Sequence, residues 1–76
     1  MELESAKVLA AGLAVGLGAI GPAIGEGMIG AKALEAMGRN PEMADKLFTN
    51  MLVAMAIAES TAIYALLIAF IILFAI

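Results

Sequence analysis

Neither cysteine nor histidine occurs in this 76-residue chain, and charge is scarce. Without cysteine there is no disulfide framework and no Cys-based zinc site. Charged residues make up 14% of the chain, against about 25% in soluble domains. The formal net charge is −3, so nothing points to a nucleic-acid-binding surface. Hydrophobic residues reach 64%, where roughly half is expected of a soluble domain. A soluble domain of this size must cover itself with polar residues, and this chain has too few to do so. It is long enough for one unit at most.

Two apolar runs set the class. Val8 to Gly25 carries no charge at all, and Leu47 to Ile76 carries a single one, Glu59. About 20 apolar residues span a bilayer as a helix, so both runs read as transmembrane helices. The first run does not fit a signal peptide, because its start, Met1-Glu2-Leu3-Glu4, is acidic, and Glu26 stands where a cleavage site would be sought. Lys32, Glu35, Arg39, Glu42, Asp45 and Lys46 all fall between the runs. Asn40-Pro41 marks a break, since the residue before a proline avoids helical geometry, and Gly38 is a candidate helix cap. The expected fold is all-α: an antiparallel two-helix membrane hairpin, helix 1 over about 5–38, a polar loop over about 39–41 and helix 2 over about 42–75. Three of the four basic residues lie near the loop, which by the positive-inside rule puts the loop in the cytoplasm and both termini outside.

The two helices differ in bulk. Gly12, Gly16, Gly18, Gly21, Gly25, Gly27 and Gly30 crowd the first, together with Ala14, Ala19 and Ala23. Small residues let membrane helices approach closely, and here they cover more than one face, so neighbours are expected on several sides. Pro22 removes one backbone bond and is expected to bend this helix. Leu, Ile, Phe and Met dominate the second helix, which suits lipid. A thin helix beside a bulky one is a wedge, and wedges packed side by side close into a ring.

Glu59 requires an explanation, because a carboxylate at mid-membrane depth costs about 3 kcal/mol or more. Glu26 and Glu59 lie on either side of Pro41, at distances along the chain that agree within one helical turn. In an antiparallel hairpin both carboxyls therefore sit roughly 23–27 Å from the loop. Two carboxylates at one depth cannot both stay ionised without a cation. Ser60 and Thr61 follow directly, and Tyr64 lies one turn past Ser60, its hydroxyl leaning back toward Ser60 and Glu59. An all-oxygen set of this kind suits a proton or a hard cation. Simpler readings stand beside these. Ser60 and Thr61 can bond their own helix carbonyls, Tyr64 can belong to an interfacial belt, and Glu26 can mark a membrane boundary. Gly16-Leu17-Gly18-Ala19-Ile20-Gly21 matches a dinucleotide fingerprint, but it lies inside an apolar helix and not between a strand and a helix, so it is rejected.

Three segments carry a resemblance: Ala19-Ile20-Gly21-Pro22-Ala23-Ile24-Gly25-Glu26-Gly27, Arg39-Asn40-Pro41, and Ala58-Glu59-Ser60-Thr61-Ala62-Ile63-Tyr64. At this spacing the chain resembles the c-subunit, the ring proteolipid of F-type ATP synthases, over nearly its whole length. The resemblance implies a homo-oligomeric c-ring in lipid, in a bacterial plasma membrane, with no catalysis by the chain alone and no cofactor beyond the coupling ion. It implies that Glu59 exchanges its ion with the a-subunit of the stator, and that Arg39, Asn40 and Pro41 grip the central stalk subunits gamma and epsilon. The small-xxx-small pairs Gly21 with Gly25 and Ala23 with Gly27 add an expectation of close packing at Gly21, Gly25 and Gly27. The Glu-Ser-Thr run and the downstream tyrosine are similar to sodium-binding members, with Na+ held by Glu26, the Ile57 carbonyl, Glu59 and Ser60, Thr61 holding a water and Tyr64 fixing the carboxylate. H+ is the alternative coupling ion. Ala19 and Ala23 depart from the family's common glycine ladder, which bears on ring size. Two other classes compete: a holin-like pore-forming hairpin, which needs no matched carboxylates, and a purely structural membrane subunit, in which Glu59 would be dispensable.

Overall fold

In the computed structural model, which describes residues 2–76, the chain folds as an antiparallel helical hairpin. α1 spans Leu3–Gly18 and α2 spans Ile20–Arg39. Only Ala19 separates them, so the two form a single rod of 37 residues. A short 3-10 turn, Pro41–Met43, leads into α3, Ala44–Phe74. Both rods are long and apolar enough to cross a membrane. The hairpin is 58 Å long, well beyond the about 30 Å of a hydrocarbon core, so its ends project from the bilayer.

The interruption at Ala19 follows from Pro22. Proline has no N–H, so the Gly18 carbonyl one turn earlier has no helical donor. The ladder holds on either side: Ala19 N–H reaches the Val15 carbonyl at 3.0 Å, and Ala23 N–H reaches the Ala19 carbonyl at 3.0 Å. The disturbance thus appears on the N-terminal side of the proline. At the other end, Asn40 takes φ −131° and ψ 74°, non-helical geometry of the kind that a following proline demands. Its N–H still bonds the Ala36 carbonyl at 3.0 Å, and Met43 N–H closes the turn on the Asn40 carbonyl at 2.9 Å. Gly38 is not the cap. It lies inside α2, and no described glycine has positive φ. Pro41 stops the helix by itself, which leaves no need for a left-handed residue. At the open end the Lys7 ammonium donates to the Ile76 main-chain oxygen.

The seam between the rods is narrow. Gly18, Pro22, Glu26 and Gly30 recur at every fourth position and share one face of the first rod. Opposite them, Ala54, Ala58, Ala62, Ala65 and Ala69 recur at every third or fourth position on α3. The bulky helix therefore presents alanine to its partner and keeps its large side chains outside. Among the glycines the tightest approach is at Gly18, where an added Cβ would stand 2.5 Å from the Ala65 Cβ. At Gly30 an added Cβ would meet only the flexible tip of Met55, at 3.0 Å. Gly18→Val is accordingly expected to destabilise the hairpin by about 1–3 kcal/mol through overpacking. The check is a lower thermal midpoint of the detergent-solubilised chain, with Gly30→Ala close to the parent.

Little is buried beyond this seam. Ala11, Gly30 and Ala69 are the buried residues among those described. Leu13, Leu17, Ile24 and Met28 on the first rod, and Val53, Ile57, Leu67 and Phe74 on α3, are all exposed. Apolar surface on this scale has to be covered by lipid and by other polypeptide. The fold is that of a membrane protein with two spanning helices.

Candidate functional site

Glu26 belongs to the seam face of α2, one turn beyond Pro22, and is half-buried. Glu59 belongs to α3 and is exposed to one side of the hairpin. The antiparallel pairing about Asn40 brings their carboxyl groups within hydrogen-bonding reach of each other. Glu59 lies deep in its apolar run and Glu26 directly follows the end of the other, at a similar distance from the turn, and an unpaired charge inside an apolar span is costly.

A second pair of oxygens forms nearby. The Ser60 hydroxyl donates to the Ile57 carbonyl across 2.6 Å. The hydroxyl thus bonds its own helix, and the same bond sets Ser60 Oγ beside a carbonyl oxygen on the outer surface. Helical phase separates this pair from the carboxyls. At about 100° per residue, Ile57 and Thr61 each stand roughly 160° around α3 from Glu59. Tyr64 stands within about 20° of Ile57 and well away from Glu59. Both Ile57 and Tyr64 are 68% exposed, so nothing in the same hairpin covers them. One hairpin therefore carries two groups of oxygen-bearing residues, Glu26 with Glu59 in one and Ile57, Ser60, Thr61 and Tyr64 in the other. It does not join them.

The remaining candidates divide in the same way. At the loop, Arg39 pairs with Glu35 one turn back, in an exposed ion pair, while Asn40 and Pro41 stand exposed at the tip. Cβ atoms added at Gly21, Gly25 and Gly27 would meet nothing within 4 Å. These glycines leave open space on the flanks of the first rod. The glycines that make the hairpin's own contacts are Gly18 and Gly30, which sequence reasoning does not separate from the rest. Their placement one turn or two from Glu26, on its face, is the signal that could have found them. Residues 16–21, the rejected dinucleotide match, run through the helical rod with no strand among the described residues before them.

The sequence profile of the ATP synthase C-subunit family matches residues 9–72. The chain belongs to the c-subunit family of ATP synthases. It is similar to the ATP synthase c-subunit of Dehalococcoides mccartyi, 57% identical over 74 residues that cover 97% of both chains. It is also similar to the ATP synthase c-subunit of Thermotoga petrophila, 63% identical over 67 residues, 88% of this chain and 79% of that one. A third relative, the ATP synthase c-subunit of a Synechococcus strain, is 46% identical over 72 residues, 95% of this chain and 89% of the relative. Membership of the c-subunit family places the chain among rotor components, which are not catalysts by themselves, and disfavours the holin-like reading.

Proposed function

We propose that this chain is the ion-carrying ring subunit of the membrane Fo sector of a rotary ATP synthase in a bacterial plasma membrane, with Glu59 as the carrier. The observation that supports it most strongly is the splitting of one oxygen set into two half-sites on opposite sides of a hairpin. Side-by-side copies in a ring bring the Glu26–Glu59 face of one copy to the Ile57–Ser60–Thr61–Tyr64 face of the next. Each junction then holds one complete site. The open flanks at Gly21, Gly25 and Gly27 accommodate that close approach. The ring turns through lipid, so the loaded site must be neutral. One monovalent cation against one ionised carboxylate meets this condition when the other carboxyl keeps its proton. Glu59 exchanges its ion at the a-subunit of the stator. Loops at Arg39, Asn40 and Pro41, held on the cytoplasmic side, pass the rotation to the central stalk subunits gamma and epsilon.

The coupling ion on this reading is sodium, in competition with the proton. A proton needs one carboxyl and one acceptor. Here a hydroxyl and a carbonyl oxygen already stand 2.6 Å apart and two carboxyls adjoin, which suits the several-oxygen shell of a hard cation. Glu26, Glu59, Ser60 Oγ and the Ile57 carbonyl supply that shell, with Thr61 holding a water and Tyr64 fixing the Glu59 carboxylate. Binding both Ser60 Oγ and the carbonyl requires that the hydroxyl hydrogen turn away from Ile57 and that the two oxygens, 2.6 Å apart while hydrogen-bonded, move apart around the ion. The test uses a carbodiimide, which attacks a protonated carboxyl. Sodium is expected to slow modification of Glu59 in the isolated ring, and more strongly as pH rises. Labelling indifferent to sodium throughout leaves the proton as the only coupling ion.

A further inference from the structure

Pro22 is a poor residue for the middle of a membrane helix, since it removes a backbone bond where no water can replace it. Its place in the fold suggests what it does. Three observations converge on one stretch of the first rod. The helix is interrupted at Ala19 and restarts at Ile20, so Pro22 falls in the first turn of α2, where its missing N–H disrupts least. Immediately before the interruption, Gly18 lies against Ala65 of α3, closer than any other glycine comes to that helix. One turn after Pro22, on the same face, stands Glu26 with its carboxyl beside that of Glu59. The outer segment of the rod is thus closed onto α3 by glycine against alanine. The inner segment carries Glu26 on that face, and one backbone bond, to the Gly18 carbonyl, is missing between the two.

We infer that Pro22, together with the Gly18–Ala65 contact, is a positioning device for the ion site: the break lets the outer segment close onto α3 while the inner segment holds Glu26 at the separation from Glu59 that a shared ion requires. An unbroken helix couples the two demands. Bringing Gly18 into contact with Ala65 would then dictate the path of the rod two turns further on, where two carboxyls and an ion must fit. The break at Ala19 separates these settings. Pro22 touches no ion, and its effect is exerted through the backbone that carries Glu26. This inference rests on the reading of Glu26 and Glu59 as part of the ion site.

Pro22→Ala supplies the missing N–H to the Gly18 carbonyl and rejoins the two segments, with a side chain small enough for the ring. In the assembled ring, the sodium concentration that half-protects Glu59 from a carbodiimide is expected to rise about tenfold or more, as for loss of other groups that orient ligands from behind. Ring size on native electrophoresis should not change. Gly18→Ala, which pushes the anchor apart, should shift protection in the same direction, and adding Ala65→Gly should restore it. A purely structural role would alter assembly and leave sodium protection alone. Wild-type protection in intact Pro22→Ala rings overturns the inference. If those rings do not assemble, the Gly18→Ala ring and its Ala65→Gly rescue decide, and wild-type protection in Gly18→Ala overturns it equally. If sodium fails to protect even the wild type, the sodium reading fails separately. The readout is then the rate of carbodiimide labelling of Glu59 at one fixed pH without sodium, which must change about tenfold in Pro22→Ala. An unchanged rate overturns the positioning role.

Discussion

Replacing Glu59 by glutamine is expected to reduce ATP-driven ion uptake, in vesicles carrying the complete complex, to the passive leak, while the ring still assembles. Glutamine keeps the size and shape of glutamate and can still share a hydrogen bond with Glu26. It cannot ionise, so it can neither take up a cation nor release a proton at the stator. The membrane does not oppose the change, since a neutral amide in a lipid-facing ring costs less than a carboxylate. Folding and chemistry therefore separate cleanly in this variant. The hairpin seam of glycine and alanine does not involve the Glu59 side chain, and the open flanks at Gly21, Gly25 and Gly27 are untouched. Native electrophoresis reports the ring, and a fluorescent or isotopic ion tracer reports the pumping. Uptake at the parental rate would remove Glu59 from the transport role and favour a purely structural subunit.

The second large effect concerns assembly. Gly25→Leu is expected to leave the single hairpin folded and to abolish the ring. A side chain grown at Gly25 meets nothing within 4 Å inside its own hairpin, so any clash it makes is with a neighbouring copy in the proposed ring. Overpacking costs about 1–3 kcal/mol at each such site, and a closed ring repeats the cost in every copy. The contrast with Gly18 sharpens the test. At Gly18 the obstruction is Ala65 of the same chain, so bulk there acts on the hairpin before any ring forms. Circular dichroism and native electrophoresis on the two variants separate the cases. Gly25→Leu should keep its helix and lose the ring band, while Gly18→Val should lower the thermal midpoint of the chain itself. A ring of parental size from Gly25→Leu would show that this flank faces lipid or the ring interior and not another copy.

Much of this was legible in the residues. Two apolar runs around Asn40-Pro41 specify a membrane hairpin, because the bilayer fixes the length of a spanning helix and proline excludes helical geometry before it. The depth of the carboxyls followed from counting, since Glu26 and Glu59 lie almost equally far along the chain from Pro41 and helical rise is constant. Bulk was read less well. Glycine in the first helix was plain, but the alanine stripe Ala54, Ala58, Ala62, Ala65 and Ala69 was hidden among larger residues of the second. Its significance appears only when a partner helix marks one face as the inside.

What the sequence alone determined is therefore what depends on distance along the chain: the membrane class, the turn, the shared depth of two carboxyls and the set of oxygen-bearing residues. Rotation about the helix axis was decided by the tertiary structure. Glu59, Ser60, Thr61 and Tyr64 stand close in the sequence, and about 100° per residue already sets Ile57 and Tyr64 well around α3 from Glu59, but only the packing of α3 against Gly18 and Gly30 decides that Glu59 meets Glu26 while Ile57 and Tyr64 stay uncovered. The same rotation divides glycines of identical chemistry into those that close the hairpin and those that leave room for another copy. Depth is a local property, summed residue by residue at fixed rise. Which face meets a partner depends on where two surfaces approach most closely, and that is settled only when both are present.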